Sequence, residues 1–196
     1  MPARPVPAPA DRTPTRRPDP GRRDRIVDAC VDVIAEHGVD GTSHRRVAAA
    51  AGVPLGSMTY HFTGRDDLLH AAFERFAHRV SDRLSARMAA VPADDREAAA
   101  HAVVTSIVHD VFPDHRELVL THELYTLAAR EPRYRTLTDA WMRRSRAALE
   151  RCFDPTTARV LDALIEGLTI HRALVTEPSA DEDVATAVRR ITGTAG

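Results

Sequence analysis

Lysine is absent from this chain of 196 residues, so all 27 of its cationic side chains other than histidine are arginine. A Walker-type phosphate loop and a Schiff-base enzyme each need a lysine amine, and both chemistries are excluded. Cysteine is almost missing as well. Cys30 and Cys152 are isolated, at apolar positions of helix-like stretches, and read as two buried reduced thiols. Aromatic residues make up only 5% of the chain, and strand-like alternation is hard to find, which favours an all-helical protein. No apolar run approaches the roughly 18–20 residues of a membrane span. The first residues lack the apolar core of a signal peptide, so a cytoplasmic protein with no membrane contact is expected.

What is present is an apolar fraction of 43%, enough for a sizeable core at this length. The net charge of −1 is unevenly spread, with ten arginines against seven acids up to Arg65 and an acidic excess beyond it. A basic N-terminal third on an acidic body is compatible with contact to nucleic acid.

Punctuation divides the chain. Residues 1–21, rich in Pro, Ala and Arg, read as a disordered arm, either a plain solvated tail or a basic segment whose Arg12, Arg16 and Arg17, with the adjoining Arg22 and Arg23, touch DNA. A first helix is expected over about 22–37, with Ile26, Ala29, Cys30, Val33 and Ile34 on one stripe and Gly38 as its stop. A second runs from about Ser43 to Ala51, and Pro54 opens a third. Thr63 and Asp66 resemble a capping box for a long fourth helix reaching about Ala90. Five more follow: over 95–111, after Pro113-Asp114, from Pro132 to Phe153, from Asp154-Pro155 to Val175, and from Ser179 to Thr192.

The stretch from Thr42 to Leu68 carries the chemistry. Ala48 is small enough for two helices to cross closely, Gly52 frees the turn, and Val47, Val53, Met58 and Phe62 fill a small core. Leu55, Gly56, Ser57, Thr59, Tyr60 and His61 are then left for the outward face and flanks of the third helix. That is the layout for placing one helix in a DNA major groove. Ser57, Thr59 and His61 suit base edges, Leu55 a thymine methyl, and Tyr60 a phosphate. Thr42, Ser43, Arg45 and Arg46 can meet the backbone from the second helix, and Arg65 can join helix N–H groups around a phosphate.

These residues resemble the DNA-binding domain of the TetR family of bacterial transcription regulators. The resemblance spans residues 22–68 and rests on His37-Gly38, Thr42-Ser43, Arg45, Val47-Ala48, Ala51-Gly52-Val53, Gly56-Ser57, Tyr60-His61-Phe62 and Asp66-Asp67-Leu68. The stretches LYTLAAR, WMRRS and TARVLDALIEGLTIH are similar to the RcdA/YbjK-like branch. Leu55 stands where a polar or basic residue is common, and Arg65 where lysine is. The resemblance implies a nucleoid-associated homodimer, with a helical effector-binding and dimerisation domain over 69–196, that leaves a palindromic DNA operator when a small-molecule effector binds. An activator or dual regulator of the same fold is an alternative, as is a ligand-binding module that no longer binds DNA.

For the body, Leu161, Leu164, Ile165, Leu168, Arg172, Val184, Val188 and Ile191 form stripes suited to a four-helix dimer interface, with Gly167 permitting close approach. Phe76, Met88, His122, Tyr125, Trp141, Met142 and His171 are candidates for an effector pocket. Ten histidines invite a metal site, but none of the spacings is a compact HxxxH or HExxH, so no metal, cofactor or enzymatic activity is expected.

Overall fold

The computed structural model describes residues 19–110, 115–177 and 180–194. Nine α-helices and no strand occur among them: α1 Arg22–His37, α2 His44–Ala50, α3 Gly56–His61, α4 Arg65–Ala89, α5 Arg96–Thr105, α6 His115–Arg130, α7 Pro132–Leu149, α8 Pro155–Leu174 and α9 Asp181–Thr192. Helix α5 runs on into a single π-helical turn, Ser106–Asp110. No helix among the described residues is long and apolar enough to cross a membrane.

Local chemistry explains most of the boundaries. Gly38 ends α1 at φ +68°, where its N–H donates to the Ile34 carbonyl. The Ser43 side chain accepts from the Arg46 N–H and so caps α2. Helix α2 stops in a Schellman turn: the Gly52 N–H donates to Ala49 and the Val53 N–H to Ala48, with Gly52 at φ +63°. Asp154 accepts from Thr156 and Thr157 to start α8, and Asp95 accepts from Ala98 to start α5.

Three expectations need correction. Helix α3 starts at Gly56, not Pro54; Pro54 and Leu55 instead form the turn whose carbonyls accept from Ser57 and Met58. At α4 it is Asp67, not Asp66, that accepts from the Thr63 N–H at 3.0 Å, because the helix begins two residues later than Thr63. Phe153 lies beyond the end of α7, buried under the Arg96 guanidinium. The expected caps Asp114 and Ser179, and the arm arginines Arg12, Arg16 and Arg17, fall outside the described residues. Asp19, within the expected arm, pairs with Arg22 and Arg25 at the start of α1.

Two cores form, and the first crosses the boundary expected at residue 68. It joins α1, α2, α3 and the first half of α4 to Leu120, Leu124 and Ala128 of α6 and to Tyr134 and Leu137 of α7. This covering explains why Val27 and Val31, outside the expected stripe of α1, are also buried. The second core joins the end of α4 to α5, the end of α7, α8 and α9. Leu161, Ile165, Val184 and Val188 belong to it. These four were expected at a dimer interface, but they are buried within the protomer, where α8 and α9 close over α5 and α7. Leu164, Leu168 and Ile191 are partly buried against the same core, and Arg172 pairs with Asp181.

Candidate nucleic-acid interface and internal cavity

Helix α3 is held from behind by Met58, which is fully buried, and by Phe62, which packs beneath the Arg23 guanidinium. Its outer edge is open: Tyr60 is 84% and Leu55 51% exposed, and Gly56 and Thr59 are exposed as well. His61 is half-buried and lies edge-on to Tyr60, with ring centroids 4.8 Å apart. The Thr59 hydroxyl donates back to the Gly56 carbonyl at 3.2 Å, leaving its methyl as the unengaged group.

Other expected DNA contacts are committed elsewhere. Ser57 is only 6% exposed, because it lies on the same inward side of this short helix as Met58. Thr42 is 2% exposed and its hydroxyl donates to the Gly38 carbonyl. Both therefore belong to the scaffold in this conformation. Arg65 donates from Nε to the Thr42 carbonyl at 2.9 Å and from a terminal nitrogen to the Val39 carbonyl, so it clamps the α1–α2 turn onto the start of α4. Arg46 donates to the Gly41 carbonyl in the same turn. Ser43 and Arg45 are exposed at the start of α2.

Sequence reasoning missed two residues here. Glu123 of α6 accepts from the Val39 N–H at 3.2 Å, across 84 positions of sequence. A Cβ at Gly38 would come within 2.6 Å of the same carboxylate, so this glycine serves a close approach as well as a positive φ. His44, the first residue of α2, has a buried Nε2 with no partner among the described residues. Nothing local in the sequence marks either role, since both arise from packing against distant segments.

A cavity of about 60 Å³ lies between α4, the π-helical turn, α6, α7 and α8. Three of the effector-pocket candidates, Tyr125, Trp141 and Met142, line it, together with Val80, Arg83, Leu84, Ser106, Asp110, Thr121, Ser145, Asp162, Ile165, Glu166 and Thr169. Tyr125 and Trp141 are stacked, centroids 6.1 Å apart and planes 29° from parallel. The other four pocket candidates lie elsewhere. Phe76 packs edge-on behind Trp141 at 5.8 Å, and Met88 is fully buried in the second core. His122 faces an outer groove of α6 and donates from Nδ1 to the Leu118 carbonyl, while His171 is exposed on α8. The sequence reading favoured large apolar and histidine side chains, and so passed over Asp162, Glu166 and Thr121.

Burial raises the Asp162 carboxyl to about 6, with Arg146 at 3.6 Å opposing the shift and Glu166 adding to it. Burial likewise pushes the Tyr125 hydroxyl far up, helped by the charges of Glu166 and Asp162. Cys30 and Cys152 are both buried free thiols, and burial lifts Cys30 to about 12, where it stays protonated and inert.

Comparison with known proteins agrees with this geometry. The family model for bacterial regulatory proteins of the tetR family matches residues 26–72, and that for the tetracyclin repressor-like C-terminal domain matches residues 94–194. The chain belongs to the TetR family. As a TetR-family member it is a transcriptional regulator with a DNA-binding helix-turn-helix, not an enzyme. SCO7518 of Streptomyces coelicolor A3(2) is 54% identical, and the similarity covers 89% of this chain and all of that one at a TM-score of 0.83. The multidrug binding protein EbrR, in complex with imidazole, is 37% identical over 88% of this chain and 90% of its own, at a TM-score of 0.73. The HTH-type transcriptional regulator BetI of Burkholderia mallei is 29% identical over 80% of this chain and 84% of its own. The match to PksA of Bacillus subtilis, 38% identical, spans 31% of that regulator's length. None of these relatives ties this TetR-family chain to the RcdA/YbjK-like branch.

Proposed function

We propose that the protein is a homodimeric repressor that reads a palindromic operator with α3 and leaves it when a small molecule enters the cavity. The observation that carries the DNA reading is the open edge of α3, with exposed Leu55, Thr59 and Tyr60 on a helix whose other side is fully packed. Thr59 and His61 are assigned to base edges and the Leu55 side chain to a thymine methyl. Tyr60, Ser43, Arg45 and Arg46 are assigned to the phosphates. Gly56 opens this edge with bare, exposed backbone, and no other protein atom lies within 4 Å of where its Cβ would stand.

Dimerisation supplies the second reading helix, at a spacing of about 34–36 Å for successive major grooves. The face of α8 turned away from the protomer core suits it: Val160, Gly167, His171 and Leu174 are exposed at helical spacing, with Leu174 61% exposed. Exposed apolar residues aligned in this way are the usual sign of a partner surface.

Effector action follows from packing. Helix α6 turns Thr121 and Tyr125 to the cavity, Leu120 and Leu124 to the core under α1, and Glu123 to the Val39 N–H. The Tyr134 hydroxyl of α7 also reaches the Asp66 carbonyl at the start of α4, 3.4 Å away. A ligand that spreads the cavity walls therefore moves elements that hold the α1–α2 turn and the base of α3. Such a ligand acts only by binding the two arrangements unequally. EbrR, whose structures hold imidazole, proflavin, ethidium and malachite green, is the relative that supports a ligand role for this region.

Gel shift with DNA flanking the protein's own gene, in excess competitor DNA, tests the reading. A discrete complex, two protomers per site by sedimentation, is expected. A well-folded protein with no preference over competitor would overturn it.

A further inference from the structure

The chemistry of the cavity wall names a ligand class, and this step rests on the cavity being the effector site. Three carboxylates line the wall against one guanidinium. Arg83 is held by Glu117, Asp110 by Arg87, and Asp162 by Arg146. Glu166 is left without an ion pair among the described residues, its side-chain hydrogen-bonding neighbour being the neutral Tyr125 hydroxyl. It sits one helical turn beyond Asp162 on α8, so the two acids share a face. A carboxylate that has a neutral hydrogen-bond partner but no counter-charge, in a partly dehydrated wall, is stabilised when a cation arrives.

Two further features point to what that cation is. Tyr125 and Trp141 present a stacked aromatic slab in the same wall, which attracts a planar cation through its π-face. Across from α8, the Thr121 hydroxyl oxygen is buried in the wall and has no hydrogen-bond partner among the described residues. A buried hydroxyl left unpaired costs about 1–3 kcal/mol, which a ligand N–H would recover.

We propose that the effector is a flat aromatic monocation, its ring against Tyr125 and Trp141, its charge facing Glu166 and Asp162, and a ring-attached N–H on Thr121. At about 60 Å³ the cavity is well below the roughly 300–1,000 Å³ of drug-sized sites. A multi-ring cation must therefore part α6 and α7 from α4 and α8 on entry, which couples occupancy to the DNA-binding end.

Trp141 is the sole tryptophan of the chain, so its fluorescence reports directly on this wall. The test titrates the full-length protein at pH 8 with proflavin, a planar cation, and with acridine, which has the same ring system but is neutral there. Calorimetry gives the affinity and Trp141 emission gives the location. Proflavin should quench Trp141 and bind at least tenfold more tightly than acridine. Glu166→Gln, isosteric and uncharged, should remove at least tenfold of the proflavin affinity and little of the acridine affinity. Asp162→Asn should act in the same direction, and circular dichroism melts check that both variants are folded. Acridine binding as tightly as proflavin, proflavin binding without a change in Trp141, no proflavin binding, or a folded Glu166→Gln protein with unchanged selectivity would each overturn the proposal. Gel shift of the ligand-free wild type runs in parallel. A specific complex there with no cation selectivity defeats only the ligand class, whereas no complex defeats the regulator reading itself.

Discussion

Replacing Arg65 with alanine separates two roles that one guanidinium can play. The sequence pointed to a phosphate contact, whereas the structure engages the side chain with the Thr42 and Val39 carbonyls. The Val39 carbonyl also accepts from the Thr42 N–H at 3.0 Å, so it keeps a partner when Arg65 is removed. The Thr42 carbonyl does not, and Thr42 is buried. A hydrogen bond to a charged group is worth about 1.5–3 kcal/mol, so one such bond plus part of a second gives a loss of about 2 kcal/mol. With a urea dependence of about 1–3 kcal/mol/M, the midpoint should fall by about 1 M. The engaged guanidinium still has a terminal nitrogen to offer a phosphate, so the slope of log affinity against log salt should also fall, by up to about 0.9. A midpoint shift below about 0.2 M would refute the clamp. A lost midpoint with an unchanged salt slope would make the residue purely structural.

Three further outcomes follow from named contacts. Gly38→Ala should destabilise the fold by about 2 kcal/mol, from positive φ and from contact with Glu123, and adding Glu123→Ala should return the contact part in a double-mutant cycle; strict additivity would show that the carboxylate does not press on this turn. Asp162 holds its proton up to about 6, above the ordinary 3.8, so the folded state binds a proton that the unfolded state has released. The protein therefore loses stability as pH rises from about 4 through 6, and Asp162→Asn should add about 1–2 kcal/mol at pH 7.5 after allowance for partial solvation, and little at pH 4. Equal gains at both pH values in urea titrations would exclude this linkage, in which Arg146, Glu166 and Tyr125 are the neighbouring groups. Leu174→Asp should shift sedimentation from dimer toward monomer, and an unchanged dimer would place the interface elsewhere.

Legibility in the sequence followed the range of the interaction. The first helix, its stop at Gly38, the Gly52 turn and the start of α8 at Asp154-Pro155 are each decided within about five residues, and all were readable. The exposure of Leu55, Thr59 and Tyr60 along α3 was readable too, because it is what remains once Met58 and Phe62 turn inward. Ser57 was misplaced, since a six-residue helix has too few turns to separate flank from buried side. In α8 and α9 the apolar stripes were correct, but Leu161 and Val184 look the same in sequence whether they face a protomer core or a partner.

By itself, then, the sequence determined the helices, their punctuation, the helix-turn-helix and the absence of lysine chemistry. These depend on local hydrogen bonds, backbone preferences and periodicity, which the chain carries in consecutive residues. Only the tertiary structure decided that α6 and α7 share a core with the DNA-binding helices, that Glu123 and Arg65 hold one turn from two sides, and that Glu166 enters a cavity wall without a cation. The reason is that burial and charge pairing belong to surfaces brought together from far along the chain. Whether a side chain is core, clamp or ligand contact is settled only when its opposite wall is in place.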